Sequence, residues 1–292
     1  MSPTGLAPAK INLFLHVGPV QADGYHPLAS LVAFADVGDR VTVERAERLS
    51  LSVEGPFGAG LAAEPDNLIL KALRALGEAA GIGEPGLHVT LDKQLPIAAG
   101  LGGGSSDAGT ALTLACSLLN LDLDDAALET VAGVGGADGP MCLRARSAWA
   151  EGRGDVLSDA PDLPPLHAVL VNPGVPSSTG AVYRAFDAGP AGATDRPVAP
   201  DDWSPAAVID WLAKQRNDLE PPALALTPAI LPALDAAGSC AGVGLTRMSG
   251  SGATVFGLFV DPEDADRAAA TLTQAHRDWW IRRTVLGALP TG

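Results

Sequence analysis

The segment 95-LPIAAGLGGGSSD-107 places four glycines within five residues, at positions 100 and 102–104. Glycine has no Cβ atom, so its backbone adopts positive φ angles and approaches phosphate oxygens closely. Alternating apolar residues at positions 87, 89 and 91 predict a strand before the segment. A helix is predicted after it, with apolar residues at Ala108, Ala111, Leu112, Ala115, Leu118 and Leu119. The free N–H groups and the positive dipole end of this helix point back at the loop, which predicts an anion site built from backbone.

Common nucleotide-binding loops fit this segment poorly. A P-loop requires a lysine after its final glycine, and none follows here. The dinucleotide pattern G-x-G-x-x-G, started at Gly100, meets Ser105 at its last glycine, which argues against a nicotinamide-dependent oxidoreductase. A flexible surface loop is the structural alternative, and the predicted strand and helix around the segment argue against it. Ser105, Ser106 and Asp107 are candidate N-caps of the helix.

Strands and helices alternate irregularly along the rest of the chain, which predicts an α+β fold with two lobes. Strands are predicted at 10–15, 28–35, 40–44, 168–171, 253–260 and 279–285, and helices at 68–76, 206–212, 228–237 and 262–276. The first strand is expected to be buried on one face. A change to Asp, Pro and Ser after position 155 predicts an N-terminal domain at 1–155 and a C-terminal domain at 156–292.

Composition narrows the function classes. A formal net charge of -15 argues against nucleic-acid binding, because neutralising phosphates requires a basic surface. Neither an apolar run long enough to span a bilayer nor a signal sequence is evident, so a cytoplasmic protein without membrane contact is expected. The three cysteines and five histidines fall at no metal-ligand spacing. Because the negative net charge repels an anionic ligand, such a ligand must be held by local N–H groups, a few cations and a metal ion.

Three segments resemble the three motifs of the GHMP kinases. The first is 7-APAKINLFLH-16, the second 96-PIAAGLGGGSSDA-108 and the third 247-RMSGSGA-253. The resemblance implies an ATP-dependent small-molecule kinase with the two-lobed GHMP kinase fold, in which the N-terminal lobe is similar to ribosomal protein S5 domain 2 and the C-terminal lobe is ferredoxin-like. It also implies that the glycine-rich loop wraps the triphosphate of ATP with Mg²⁺ present.

The loop residues implied to bind the nucleotide are Pro96, Ile97, Ala98, Ala99, Gly100, Leu101, Gly102, Gly103, Gly104, Ser105 and Ser106. The protein ligand of Mg²⁺ stays open between a serine near Ser106 and a carboxylate.

The resemblance implies that Asp138 is the general base and Lys10 its partner. A kinase acting on an alcohol must align the hydroxyl with the γ-phosphate and can take its proton. A lysine next to Asp138 would keep the carboxylate ionised. The structural alternatives are an aspartate in an Asp-Gly-Pro turn and a lysine at a strand end whose amine reaches solvent. Gly139 stands where relatives commonly have valine, so a looser backbone is expected beside Asp138.

Within the superfamily, 23-DGYH-26, 136-GAD-138 and 150-AEGRG-154 are most similar to kinases that phosphorylate the C2 hydroxyl of a cytidine-diphosphate-linked methylerythritol, in the non-mevalonate isoprenoid pathway. The implied substrate-binding residues are Asn12, Tyr25, His26 and Tyr183, with the tyrosines as stacking rings. Another kinase of the superfamily, acting on homoserine, mevalonate or a sugar, remains an alternative. A non-catalytic nucleotide-binding relative is a second one, and the joint presence of Lys10 and Asp138 argues against it.

Overall fold

The computed structural model describes residues 2–61, 67–160 and 163–287. Within these ranges, no helix combines the length and the apolar character needed to cross a membrane. The described residues group into two compact units, each built from separate stretches of chain. Unit 1 draws on residues 1–10, 37–97 and 102–145, and unit 2 on residues 11–36, 98–101 and 146–292. The sequence-based division after residue 155 differs from this grouping and stays a prediction.

The strands are β1 (Thr4–Val17), β2 (Leu28–Arg45), β3 (Ser50–Glu54), β4 (Leu87–Asp92), β5 (Ala148–Glu151), β6 (Val156–Asp159), β7 (Leu166–Asn172), β8 (Val243–Met248), β9 (Val255–Phe259) and β10 (Trp280–Leu286). The helices are α1 (Leu68–Ala79), α2 (Gly103–Leu119), α3 (Asp125–Gly133), α4 (Gly139–Arg144), α5 (Thr179–Phe186), α6 (Pro205–Ala213), α7 (Glu220–Leu226), α8 (Ile230–Gly238) and α9 (Pro262–Ala275).

Unit 1 packs helices on a small sheet. The second half of β2 pairs antiparallel with β4, which pairs parallel with β3. Helix α1 begins at the cap residue Asn67, whose side chain accepts a hydrogen bond from the Ile69 N–H at 2.9 Å. The apolar stripe predicted for α2 is confirmed, since Ala108, Ala111, Leu112 and Ala115 are buried in the same core cluster as the apolar face of α1. The core therefore holds α2 firmly along its length.

Unit 2 contains an antiparallel sheet in the order β10-β7-β9-β8. Strand β5 forms a hairpin with β6 and also pairs with the first half of β2. Buried Arg247 in β8 donates hydrogen bonds to the carbonyls of Leu13 at 2.8 Å, Leu212 at 3.0 Å and Gln215 at 2.7 Å. Burial lowers the pKa of Arg247 to about 10. This guanidinium fixes the first-motif strand within unit 2.

The α+β class is confirmed, and two local predictions were wrong. The separate strands expected at 28–35 and 40–44 form one strand, β2. The polar residues between them do not turn the chain, because Asp36 accepts from the Val285 N–H at 3.0 Å and Asp39 from the Leu95 N–H at 2.8 Å. Residues 7–17 of β1 are buried at every position rather than on one face.

Candidate functional site

The glycine-rich loop enters α2 through Gly102 in unit 1. Gly102 has a left-handed φ of 62° and occupies the N-cap position, where no side chain of the described residues caps the helix. A Cβ atom at this position would lie 3.1 Å from the Cβ of Lys10. The backbone conformation and the space both favour glycine here. The first N–H groups of α2 thus lack a side-chain acceptor, as an anion site requires.

The N-cap prediction for Ser105, Ser106 and Asp107 was wrong. The helix begins at Gly103, so all three residues lie inside it. Ser106 is fully buried, and its Oγ donates to the Pro8 carbonyl at 2.8 Å. Asp107 is buried in an ion cluster instead. The physical reason is that Gly102, in the left-handed backbone conformation, is the N-cap residue and begins the helix without a side-chain hydrogen bond.

In unit 2, the carbonyl groups of three successive loop residues accept hydrogen bonds. Ala98 accepts from Ser177 N at 3.0 Å, Ala99 from Thr254 N at 3.1 Å and Gly100 from Ser249 Oγ at 3.0 Å. Carbonyl oxygens repel phosphate oxygens, so engaging them removes an unfavourable contact from the loop. A Cβ atom at Gly100, where φ is 73°, would lie 2.3 Å from the Ser249 carbonyl. The third-motif turn at 249–252 is therefore packed directly against this part of the loop.

Lys10 and Asp138 form the predicted pair within unit 1. Lys10 Nζ lies 2.9 Å from Asp138 Oδ2. The Lys10 side chain is 7% exposed, whereas that of Asp138 is 41% exposed. One side of the carboxylate is held by a buried cation and the other is open to solvent, so Asp138 can meet a ligand while it keeps its contact with Lys10.

Packing explains Gly139, which follows Asp138 at the start of α4. A Cβ atom there would lie 2.0 Å from the Ala132 carbonyl oxygen near the end of α3. Any side chain would push α4 away from α3. The residue is also buried. The glycine therefore allows close packing of α4 on α3, rather than the looser backbone expected beside Asp138.

A buried cluster of Lys93, Asp39 and Asp107 was missed by sequence reasoning. Lys93 Nζ lies 2.5 Å from Asp39 Oδ2 and 2.7 Å from Asp107 Oδ2, and no side chain of the three exceeds 3% exposure. Burial, together with the second carboxylate of Asp39, raises the pKa of Asp107 to about 8, although Lys93 opposes the rise. Burial alone would lower the pKa of Lys93, but the two carboxylates outweigh it and raise that pKa.

One signal pointed to this cluster. The chain has only four lysines, and Lys93 stands directly before the glycine-rich loop. A Cβ atom at Gly103 would lie 3.0 Å from Lys93 Nζ, so the ammonium sits directly under the first turn of α2. The buried Asp107 Oδ1 has no hydrogen-bond partner among the described residues.

His26 and Tyr183 lie together in unit 2. The two ring centroids are 4.9 Å apart, and Phe186 packs on His26 at 5.9 Å. The His26 side chain is 8% exposed, and its Nε2 lies 2.6 Å from Asp187 Oδ1. Sequence reasoning missed Asp187, which has no motif around it.

Tyr25 is 53% exposed, and the Arg153 guanidinium lies 4.4 Å above its ring. Arg153 also pairs with Asp23. It stands within the segment 150–154 that carried the resemblance, but the sequence assigned it no role. Asn12 is buried, and its Nδ2 donates to Ser30 Oγ at 2.8 Å.

Two family models match the chain. The GHMP kinases N terminal domain matches residues 67–146, and the GHMP kinases C terminal domain matches residues 206–278. The first match contains the glycine-rich loop and Asp138, and the second contains the third-motif segment.

Curated relatives and solved structures give a consistent likeness. The chain is similar to the 4-diphosphocytidyl-2-C-methyl-D-erythritol kinase of Caulobacter sp. (strain K31), with 51% identity covering 96% of this chain and 97% of that protein. It is similar to a crystal structure of 4-(cytidine 5'-diphospho)-2C-methyl-D-erythritol kinase, with 35% identity, a TM-score of 0.76 and coverage of 98% and 100%. L. major mevalonate kinase, at 15% identity and a TM-score of 0.67 with coverage of 98% and 96%, shares the fold alone.

Proposed function

We propose that this chain, which belongs to the GHMP kinases and among them to the 4-diphosphocytidyl-2-C-methyl-D-erythritol kinases, transfers the γ-phosphate of ATP to the C2 hydroxyl of 4-diphosphocytidyl-2-C-methyl-D-erythritol. The products are the 2-phosphate and ADP. The observation that carries the proposal is the Lys10–Asp138 pair at 2.9 Å, with a buried cation and a half-exposed carboxylate.

Asp138 acts as the general base in this reaction. Its carboxylate accepts the hydroxyl proton while the oxygen forms a bond to the γ-phosphorus and the bond from that phosphorus to the β–γ bridging oxygen breaks. Lys10 holds Oδ2 at 2.9 Å, which fixes the orientation of the carboxylate. The proton on Asp138 passes to solvent after transfer.

The triphosphate is held by backbone N–H groups rather than by a general attraction to the protein. The net charge of -15 repels nucleotides at long range. The uncapped N-terminus of α2 supplies donors and a positive dipole end at short range. Residues 96–106 are proposed to carry this contact, with the carbonyls of 98–100 turned to other partners.

Mg²⁺ is part of the proposal, and the donor set fits it. Mg²⁺ commonly keeps several waters and uses one or two protein oxygens with substrate phosphates. No group of three or more His, Cys, Asp or Glu among the described residues forms a cage for a metal ion. Ser106 does not fit, because it is buried and its Oγ is engaged. Asp138 is engaged as the base, so the half-buried Ser105 hydroxyl would hold the ion, which would neutralise developing charge on the phosphates.

Recognition of the cytidine part is assigned to unit 2. Tyr25 offers an exposed ring face, and Tyr183 lies against His26, which has hydrogen-bonding capacity for a pyrimidine edge. Asn12 is proposed to contribute to binding of the substrate as a whole through its Oδ1, because its Nδ2 is engaged by Ser30. These four roles follow the family resemblance and the local geometry together.

The test is release of ADP in a coupled assay with ATP, Mg²⁺ and 4-diphosphocytidyl-2-C-methyl-D-erythritol. Homoserine, mevalonate and galactose serve as alternative acceptors under the same conditions. Turnover with the cytidine-linked acceptor, inhibited competitively by CMP, is expected. ADP release at background level with this acceptor, or faster turnover with any of the other three, would overturn the proposal.

A further inference from the structure

Asp187 lies beside His26 in unit 2. It follows the last residue of α5, and its N–H donates to the Tyr183 carbonyl at 3.0 Å. Its Oδ1 lies 2.6 Å from His26 Nε2, and the imidazole packs against the rings of Tyr183 and Phe186. The carboxylate and the ring are therefore fixed relative to the same helix.

The chemistry of the pair decides which ring nitrogen of His26 carries the proton. A carboxylate only accepts hydrogen bonds, so Nε2 must donate to Asp187. A neutral imidazole has one N–H, which leaves Nδ1 as an acceptor. Without the carboxylate, the ring would be free to exchange the donor and acceptor positions.

That assignment distinguishes the two common pyrimidines. Cytosine carries an amino donor at position 4, whereas uracil has a carbonyl acceptor there. An acceptor at Nδ1 can receive a hydrogen bond from the amino group of cytosine. With uracil, the same nitrogen would face the carbonyl oxygen, and two acceptors cannot form a hydrogen bond. A binding site strongly discriminates against a ligand that leaves its buried polar groups without a hydrogen-bond partner.

We infer that Asp187 is a positioning residue that fixes His26 with Nε2 protonated, and so makes the base site selective for cytidine over uridine nucleotides. The inference rests on the proposed function, in which His26 meets the pyrimidine. Asp187 acts through His26 and does not itself touch the base.

The first experiment measures inhibition of the kinase reaction by CMP and by UMP in the wild-type chain, Asp187→Asn and Asp187→Ala. Wild type should prefer CMP by about tenfold or more, and Asp187→Ala should lose about tenfold of that preference. The KM for the cytidine-linked substrate should rise while kcat changes little. Asn retains an acceptor oxygen for Nε2, so Asp187→Asn should lie between the two.

Asp266→Asn is the matched control, because it removes one carboxylate from an exposed pair with Arg283 in the same unit. It should keep the wild-type preference. A wild-type chain that does not phosphorylate the cytidine-linked substrate would overturn the proposed function. Normal turnover together with an unchanged CMP preference in Asp187→Ala would overturn the inference alone.

The second experiment reads the tautomer directly from long-range ¹H–¹⁵N spectra of the ¹⁵N-labelled full chain, with His26→Gln identifying the signal. Wild type should show His26 protonated at Nε2, and Asp187→Ala should show a mixture. A wild-type ring protonated at Nδ1 would overturn the inference even if Asp187→Ala failed to fold.

Discussion

Unit 1 contains two clusters of lysine and aspartate, both with N–O distances of 2.9 Å or less, that differ in burial. The Lys10–Asp138 pair is balanced in charge and leaves its carboxylate 41% exposed. The Lys93 cluster has two carboxylates for one ammonium, and no side chain in it exceeds 3% exposure. Solvent reaches the carboxylate of the first cluster and not those of the second. Burial, rather than the residue types, therefore separates the carboxylate proposed as the base from those that stabilise the fold.

The buried cluster links three elements of unit 1. Asp39 comes from β2, Lys93 follows β4 and Asp107 lies in α2. Asp39 Oδ1 also accepts from the N–H groups of Gln94 at 2.6 Å and Leu95 at 2.8 Å. The approach to the glycine-rich loop is thereby fixed by hydrogen bonds that solvent does not weaken.

Asp138→Asn should produce the largest loss of activity. Removing the base should lower kcat by about 10²–10⁴-fold, while ATP binding is retained. Asn still offers an acceptor to Lys10, so the free energy of unfolding should fall by no more than about 1–2 kcal/mol. Steady-state kinetics and urea unfolding measure the two effects. Exposed Asp122→Asn is the control, and near-normal turnover in Asp138→Asn would remove Asp138 as the base.

Lys93→Met should produce the largest loss of stability. It leaves the buried carboxyl groups of Asp39 and Asp107 without their cation, which should cost about 3–5 kcal/mol in the free energy of unfolding. Lys214→Met, at an exposed lysine after α6, should change it by less than about 0.5 kcal/mol. Urea unfolding of both variants decides the matter. Equal stability of the two would show that the buried cluster contributes nothing.

Asp107→Asn should change the pH dependence of stability. The pKa of Asp107 is raised from 3.8 to about 8 in the folded protein, mainly by burial. Because its pKa is raised on folding, the contribution of Asp107 to the free energy of unfolding is complete below about pH 3.8. That contribution is lost as the pH rises through about 8. The variant should therefore lose less stability than wild type between about pH 6 and pH 9. Unfolding curves at both pH values measure this, and identical slopes would contradict it.

Arg74→Ala should have the smallest effect. Arg74 Nε lies 2.9 Å from Glu84 Oε2, as close as the Lys10–Asp138 contact, but both side chains are about half exposed. Solvent screening limits such a pair to about 0–1 kcal/mol. Urea unfolding should barely distinguish the variant from wild type. A loss comparable to that of Lys93→Met would refute the role given to burial.

The features that could be predicted from the sequence are those encoded within short segments or motifs. Helix α2 and the glycine-rich loop follow from local spacing, and the Lys10–Asp138 contact followed once the family motifs were recognised. The Lys93 cluster did not, because Asp39 lies 54 positions from Lys93 in what looked like a break between strands. Asp187 was missed for a similar reason, since it lies 161 positions from His26. Long-range partners of single polar residues leave no periodic signal.

Arg247 has a consequence for the synthesis of the chain. Its hydrogen bond to Leu13 joins residues 234 positions apart. At bacterial or eukaryotic translation speeds, the ribosome adds Arg247 roughly 10–50 s after Leu13. During that interval the apolar first-motif strand lacks its hydrogen bond from Arg247. Contacts between residues so far apart in sequence slow folding. Unit 2 therefore cannot complete its fold before Arg247 has been synthesised, and truncation before residue 247 leaves this strand exposed to aggregation.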